Sequence, residues 1–382
     1  MKHILILTGD YGYGHRSAAN AITQALQETH GEDCKVEIIN PMDDPHAPAF
    51  LRDGADRYDR IVREAPDLYK ISFEVGDTQV VSGLVKSGLT LMLINAMREI
   101  IHQKQPDVIV CTYSSYQDSL SAIFAMEKYH IPVLTVVTDL GTVNRLWFHP
   151  VADLCLVPTQ TVYNLAVDSG LPAEKVKIVG IPVRPELMKA NQDRITIRRN
   201  LGWQEDLFTV LAIGSKRVEH LYDALWVLNH SGFPLQLVIA AGGDQEFYQR
   251  CLETEWHVET HVYDFVAEMG TFLRAADCVL GKAGGLTVSE ALACGLPLIL
   301  VDVIPGQEIG NADYVVSGDA GVLTSNSIEI LEAMSHWLEK DRLRYLQQAQ
   351  NARRLGHPRA AFDTADLIWS LAATRENEQI TL

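Results

Sequence analysis

Five short apolar runs, Ile4–Leu7, Val36–Ile39, Val108–Cys111, Val133–Val137 and Leu154–Val157, alternate with segments whose apolar residues fall at helical spacing, as at Ala18, Ile22, Ala25 and Leu26. The pattern then restarts with Val210–Ile213, Leu235–Ala240, Val258–Tyr263, Cys278–Leu280 and Leu298–Val301. Runs this short, rich in β-branched residues and without a polar face, predict strands buried on both sides. Helices between them favour parallel pairing. Two such series predict two doubly wound α/β units rather than one wide sheet. Between them, Gly180-Ile-Pro-Val-Arg-Pro185 puts two prolines where regular structure must stop. The expected domains are residues 1–185 and 186–357, with a helix over Ile195–Leu201 opening the second. A last helix beginning near Pro358, a residue suited to a first helical turn, carries Ala361, Phe362, Ala365, Leu367 and Ile368. Periodicity leaves open which unit it covers. The polar tail after Thr374 is expected to fray.

With 382 residues and 47% hydrophobic residues, the chain has ample apolar surface for two cores. A formal net charge of −17 argues against a general nucleic-acid binder while leaving room for a local cationic site. The six cysteines are scattered without a CxxC pair, which predicts buried, reduced thiols in a reducing, cytosolic setting. Met-Lys-His leads straight into ILIL, interrupted at Thr8-Gly9-Asp10, so no cleaved leader is expected. No apolar run reaches 18 residues, so no membrane-crossing helix is expected, and surface association stays open. Residues 46–104 fit the alternation poorly. They hold Tyr58, Tyr69 and Phe73, then VVSGLVKSGLTLMLINAM, then Arg98, His102 and Lys104. The apolar part is one helix long, either a core helix or an amphipathic element facing lipid.

The densest chemistry lies in GKAGGLTVSEALACGLPLILVDVIPGQEIGN, Gly281 to Asn311. Gly284 and Gly285 form a turn, Thr287 and Ser289 are hydroxyls at a helix start, and Glu290 is an acid just inside that helix. First-turn N–H groups and the helix dipole suit a diphosphate, with Lys282 as an added cation. Glu290 suits ribose hydroxyls, and Gln307-Glu308 after the next strand suit a further polyhydroxylated group. Together these predict a nucleotide-sugar ligand. Gly214-Ser-Lys-Arg217 follows the first strand of the same unit, where Lys216 and Arg217 are cations that attract a diphosphate or simply face solvent.

In the first unit, ILILT runs into GDYGYGH. Gly9, Gly12 and Gly14 permit a tight strand-to-helix turn. This is not the G-x-G-x-x-G of dinucleotide sites, and Asn40-Pro41 stands where such a site has its acid. His15 is expected near a helix N-terminus, which favours the neutral, base-competent imidazole, or else serves as a local helix-start residue. Asp139, directly after a buried strand, either orients His15, meets an acceptor or caps a turn. Trp147 and His149 follow in the same loop. Zinc spacing, a G-x-S-x-G elbow and a P-loop are all absent from the sequence.

Taken together, GDYGYGHRSAA, PDVIVCTY, TDLGTVNRLWFHP, KVKIVGIPVRPEL, the 281–311 block and HPRAAFDTADLI resemble the monogalactosyldiacylglycerol synthases and related bacterial diacylglycerol glucosyltransferases of glycosyltransferase family 28. The resemblance spans nearly the whole chain. It implies a GT-B fold, two Rossmann-like domains facing across a cleft, with helix 358–374 packing back on the first. It implies inverting transfer of a hexose, galactose ahead of glucose, from a UDP-sugar to the 3-hydroxyl of 1,2-diacylglycerol. Neither a metal nor any other cofactor is implied in the active site. The partners implied are the UDP-sugar and diacylglycerol, with anionic lipids as candidates, at the surface of the cytoplasmic membrane. Part of 75–97 is then expected to meet the bilayer.

The resemblance also distributes roles. His15 is the expected general base, with Asp139 as the alternative. Gly284, Gly285, Leu286 and Thr287 with Lys282 would hold the diphosphate, and Glu290 the ribose. Gln307 and Glu308, with Asn311 nearby, would hold the sugar, and Phe265 and Val266 would meet uracil. Gly12, Gly14, Trp147 and His149 fall on the acceptor side. The family's glycine-rich loop after the first strand of the second domain is here Gly214-Ser-Lys-Arg217. That shifts the expected phosphate contact from backbone to Lys216 and Arg217. A UDP-N-acetylglucosamine transferase or 2-epimerase-like enzyme on the same fold, and a non-catalytic UDP-sugar or lipid binder, are the rival readings.

Overall fold

The computed structural model describes residues 1–10, 13–48, 52, 79–188 and 192–380. Gly12, Tyr58, Tyr69 and Phe73 lie outside the described residues. The chain divides into two units: Met1–Pro185 with Pro305–Gln307 and Arg359–Leu382, and Glu186–Ile304 with Glu308–Pro358.

The first unit is built on six strands, β1 (Lys2–Leu7), β2 (Cys34–Ile39), β3 (Val108–Cys111), β4 (Val133–Val136), β5 (Leu154–Val157) and β6 (Val176–Ile178). They lie in the order β2-β1-β3-β4-β5-β6, and every pair is parallel. The chain winds outward from β1 to β2, then restarts on the other side of β1 with β3. Loops after β1 and β3 therefore lie at the reversal point, where open α/β sheets bind ligands. Alternate residues of β1 serve opposite cores, as strand geometry requires. Ile4 and Ile6 pack with Ala19, Ile22 and Leu26 of the helix Tyr13–His30 and with Ala361, Ala365 and Ile368 of the helix Ala360–Ile380. Leu5 and Leu7 pack with Leu93, Met97 and Ile100 of the helix Gln79–Lys104.

The last helix thus covers the first unit. It begins two residues after Pro358 and continues past Thr374 to Ile380, longer than expected, because Arg375, Glu376, Glu378 and Gln379 are good helix formers. The helix Gln79–Lys104 gives one face to the core. Leu93 is fully buried in the core, while two neighbours stay out, Leu91 73% and Met92 41% exposed.

The second unit repeats the plan with β7 (Phe208–Ile213), β8 (Leu235–Ala240), β9 (Glu259–Tyr263), β10 (Cys278–Lys282), β11 (Leu298–Asp302) and β12 (Gly321–Leu323), in the order β12-β11-β10-β7-β8-β9. Its reversal point lies between β7 and β10. A helix Arg194–Leu201 opens the unit, capped at its start by the Asp193 side chain and closed by Gly202 in the left-handed region. The edge strands β6 and β12, only three residues each, lie below the length at which sequence alternation is readable. All six cysteines are free, and burial pushes Cys111 and Cys155 up to about 12, as inert core thiols.

Candidate active site

In the first unit the helix starts at Tyr13, so His15 sits in its first turn. The imidazole is buried, and its Nδ1 lies 2.9 Å from the Thr138 hydroxyl. Tyr113, after β3, meets the ring edge-on at 5.2 Å between centroids, and Trp147 lies 6.0 Å away. Loops after β1, β3 and β4 therefore converge on one histidine. Gly9 makes this possible, since a Cβ there would stand 2.9 Å from the Tyr113 ring. A Cβ at Gly14 would meet nothing within 4 Å, so there is space beside His15.

The turn is pinned from behind. Arg16 donates through Nε and Nη2 to the two oxygens of Asp10, at 2.9 and 2.8 Å. Asn40 donates to Asp10 and to Asp43, both at 2.9 Å, and accepts from the Tyr116 hydroxyl at 2.7 Å. The Arg16 guanidinium holds the Asp10 carboxyl below its usual range, whereas burial and Asp10 raise that of Asp43. Asn40 thus fastens β2 to the His15 turn.

Asp139 is buried directly after Thr138. Trp147 lies in a short 3₁₀ turn, Arg145–Trp147, capped by Asn144 and held by Gln117, whose amide donates to the Leu146 and Trp147 carbonyls at 3.2 and 3.1 Å. His149 accepts the Val151 N–H at Nδ1 (3.0 Å) and turns Nε2 toward Asp118 at 3.5 Å, so its ring is a fixture of the loop.

In the second unit the helix after β10 spans Gly285–Ala293, with Gly284 extended at the N-cap and no side-chain cap. Its first turn carries the N–H groups of Gly285, Leu286 and Thr287, the donors that lack helical partners. Glu290, expected next to the helix start, lies in the second turn and is buried. Gly284 already satisfies the extended conformation that ends the strand, so the helix begins early.

Lys282 and Glu308, expected to hold phosphate and sugar separately, form an ion pair with each other. Glu308 also accepts the Ile304 N–H at 3.1 Å and sits at the N-cap of the helix Ile309–Ser317. Asn311 is fully buried and donates to the Ala283 carbonyl at 3.0 Å, which ties that helix to the phosphate turn. Gln307 is half-buried in the preceding turn.

Gly214 is buried and packs against the Ala240 and Ala241 carbonyls, whereas Lys216 is exposed and Arg217 half-buried. After β9, Phe265 stands 65% exposed, with Val266 half-buried behind it. An exposed ring at a strand's carboxyl end suits a planar base. Among the described residues, no group of three His, Cys, Asp or Glu side chains is placed to hold a metal ion. Among them also, no helix is long and apolar enough to cross a membrane.

Comparison with known proteins adds identity to this geometry. Residues 15–183 match the family model for monogalactosyldiacylglycerol (MGDG) synthase, and residues 193–355 match that for glycosyl transferases group 1. A probable chloroplastic monogalactosyldiacylglycerol synthase from Glycine max is 31% identical over 98% of this chain and 72% of its own length. Among solved structures, MurG from Acinetobacter baumannii superposes with a TM-score of 0.61 at 16% identity, covering 97% of this chain and 100% of that one. The UDP-GlcNAc 2-epimerase of Neisseria meningitidis bound to UDP-GlcNAc reaches 0.62 at 15% identity, with the same coverage. At such identities the two structures speak for the fold, which is GT-B. The chain belongs to the monogalactosyldiacylglycerol synthase family and is a glycosyltransferase.

Proposed function

We propose that this enzyme moves a hexose, galactose ahead of glucose, from a UDP-sugar to the 3-hydroxyl of 1,2-diacylglycerol, with inversion at the anomeric carbon. The observation that carries the reading is the His15–Thr138 contact. In the tautomer whose Nδ1–H donates to the Thr138 hydroxyl, Nε2 carries the lone pair that a general base uses. The acceptor oxygen attacks the anomeric carbon as its proton passes to Nε2, and the bond from that carbon to the diphosphate breaks.

The departing UDP takes the bonding electrons as added negative charge. The first-turn N–H groups of Gly285–Thr287 and the Lys282 ammonium are the groups that would hold it, and the reading asks for no metal. Glu290 would accept from ribose, and Phe265 and Val266 would flank uracil. Gln307 and Glu308 would take the sugar hydroxyls. The acceptor does not leave the bilayer, so the enzyme works at a membrane surface, on the cytoplasmic side, and exposed Leu91 and Met92 support a lipid-facing stretch there.

The test is turnover of radiolabelled UDP-galactose and UDP-glucose on diacylglycerol liposomes, with and without EDTA. The expected product is a lipid-soluble β-glycoside at unchanged rate in EDTA. His15→Ala should lower kcat by roughly 10²–10⁴ with UDP binding retained. An epimerised nucleotide with no lipid product would instead favour the epimerase-like alternative.

A further inference from the structure

Two helices of the second unit start at its reversal point, one after β7 and one after β10. Neither carries a side-chain cap on its first turn, and they differ in what stands at the N-cap residue, which is a bare glycine, Gly284, in the helix Gly285–Ala293. The helix Leu221–Asn229 has His220 at its N-cap, and Asp302, the last residue of β11, reaches it from across the sheet. One Asp302 oxygen accepts the His220 N–H at 2.9 Å, and the other lies 2.5 Å from His220 Nδ1. A carboxylate at a helix N-terminus takes the place an external anion would otherwise occupy.

The clasp spans a strand. β11 and β7 are not neighbours, because β10 lies between them. Asp302 is the register partner of Lys282, and its carbonyl accepts the Ala283 N–H at 2.9 Å. Through His220 it therefore ties the loop after β7 across the end of β10, where the phosphate turn begins. Within that loop, Val218 N–H donates to the Ser215 carbonyl at 3.0 Å, which leaves Lys216 exposed in the bend. The Asp302 carboxylate raises the His220 pKa, with Glu219 and Asp223 adding to it against burial.

We propose that His220 and Asp302 are positioning residues for the donor. They close the helix start after β7 to phosphate and hold its loop so that the Lys216 side chain, rather than the loop backbone, meets the diphosphate. This rests on the UDP-sugar reading above. The departure from a glycine-rich loop is then compensated by an internal carboxylate and a lysine.

The experiment is calorimetric binding of UDP and of uridine to wild type, His220→Ala, His220→Asn, Lys216→Ala and the His220→Ala/Lys216→Ala double variant. His220 is exposed, so its variants should fold. His220→Ala should weaken UDP by roughly five- to tenfold and leave uridine unchanged, since only a charge-assisted phosphate contact is misplaced. His220→Asn, which keeps a side-chain N–H for Asp302, should bind UDP like wild type. Lys216→Ala should weaken UDP alone and add nothing in the His220→Ala background. The donor KM of His220→Ala should rise with kcat held within about twofold. Wild-type UDP affinity in His220→Ala, an equal loss for uridine, or additive losses in the double variant would overturn the assignment. A wild-type protein that binds no UDP would overturn the donor reading itself, and the clasp's role with it.

Discussion

The ammonium of Lys282 is ion-paired with the carboxylate of Glu308, twenty-six residues later, so two groups suited to different parts of one ligand neutralise each other. The pair is nearly buried, and Glu308 is further held by the Ile304 N–H. A diphosphate approaching the helix start after β10 competes with Glu308 for Lys282. Glu308→Gln removes that competition. UDP should then bind more tightly, by roughly three- to tenfold, while hexose transfer falls by about 10²-fold for want of the carboxylate. Calorimetry with UDP beside steady-state turnover reads both effects. Weaker UDP binding would show that Glu308 does not restrain Lys282.

Thr138→Val keeps the shape of the side chain and removes the hydroxyl at His15 Nδ1. Nδ1 then loses its hydroxyl partner. We expect kcat to fall by about tenfold with donor KM unchanged, and the acid limb of the pH–rate profile to move. An unaltered profile would remove Thr138 from the base's support.

The end of the helix Gln79–Lys104 is anchored electrostatically. Lys104 and then Lys35 hold the Glu37 carboxyl down at about 2, from an ordinary 4.5. A depressed pKa contributes stability that is present above the unfolded value and lost as pH falls toward the folded one. The Tm advantage of wild type over Glu37→Gln should therefore hold at neutral pH and shrink from about pH 5 toward about pH 3. An advantage independent of pH over that window would exclude the ionic origin.

Helix Gln79–Lys104 sets exposed Leu91 and Met92 beside buried Leu93. Leu91→Glu and Met92→Glu should lower cosedimentation with anionic, diacylglycerol-containing liposomes at unchanged Tm, because both side chains are outside the core. Leu93→Ala should instead cost about 2–5 kcal/mol of stability, because it empties a filled position. Loss of fold in the first pair, or tolerance in the third, would reverse that division.

The strands of both sheets were legible because a parallel strand covered on two faces must be apolar at every position, as VIVC and LCLV are. The edge strands VKI and GVL were not, since three residues carry no period. His15, the Gly284 turn and Phe265 stood out as residues of the right type at the ends of strands. Their partners did not. Thr138 lies 123 residues from His15, and Asp302 lies 82 from His220, and nothing local marks either as half of a pair. Asn40 read only as the lack of a dinucleotide-site acid. Its use, fastening Asp10, Asp43 and Tyr116, depends on β1 and β2 lying side by side. The ion pair of Lys282 with Glu308 is hidden for the same reason.

The helix Ala360–Ile380 has a further consequence through Ala361, Ala365, Ile368 and Ala372, which fill the core beneath β1, β3 and β4. Topologically the second unit is an insertion between the strands of the first and its closing helix. During synthesis the first six strands leave the ribosome early, yet the face of their sheet that the helix Tyr13–His30 covers lacks its second helix until residues 360–380 have been made. The unit translated first is therefore completed last, after the one that interrupts it, and its apolar face depends on chaperones or on speed for that interval.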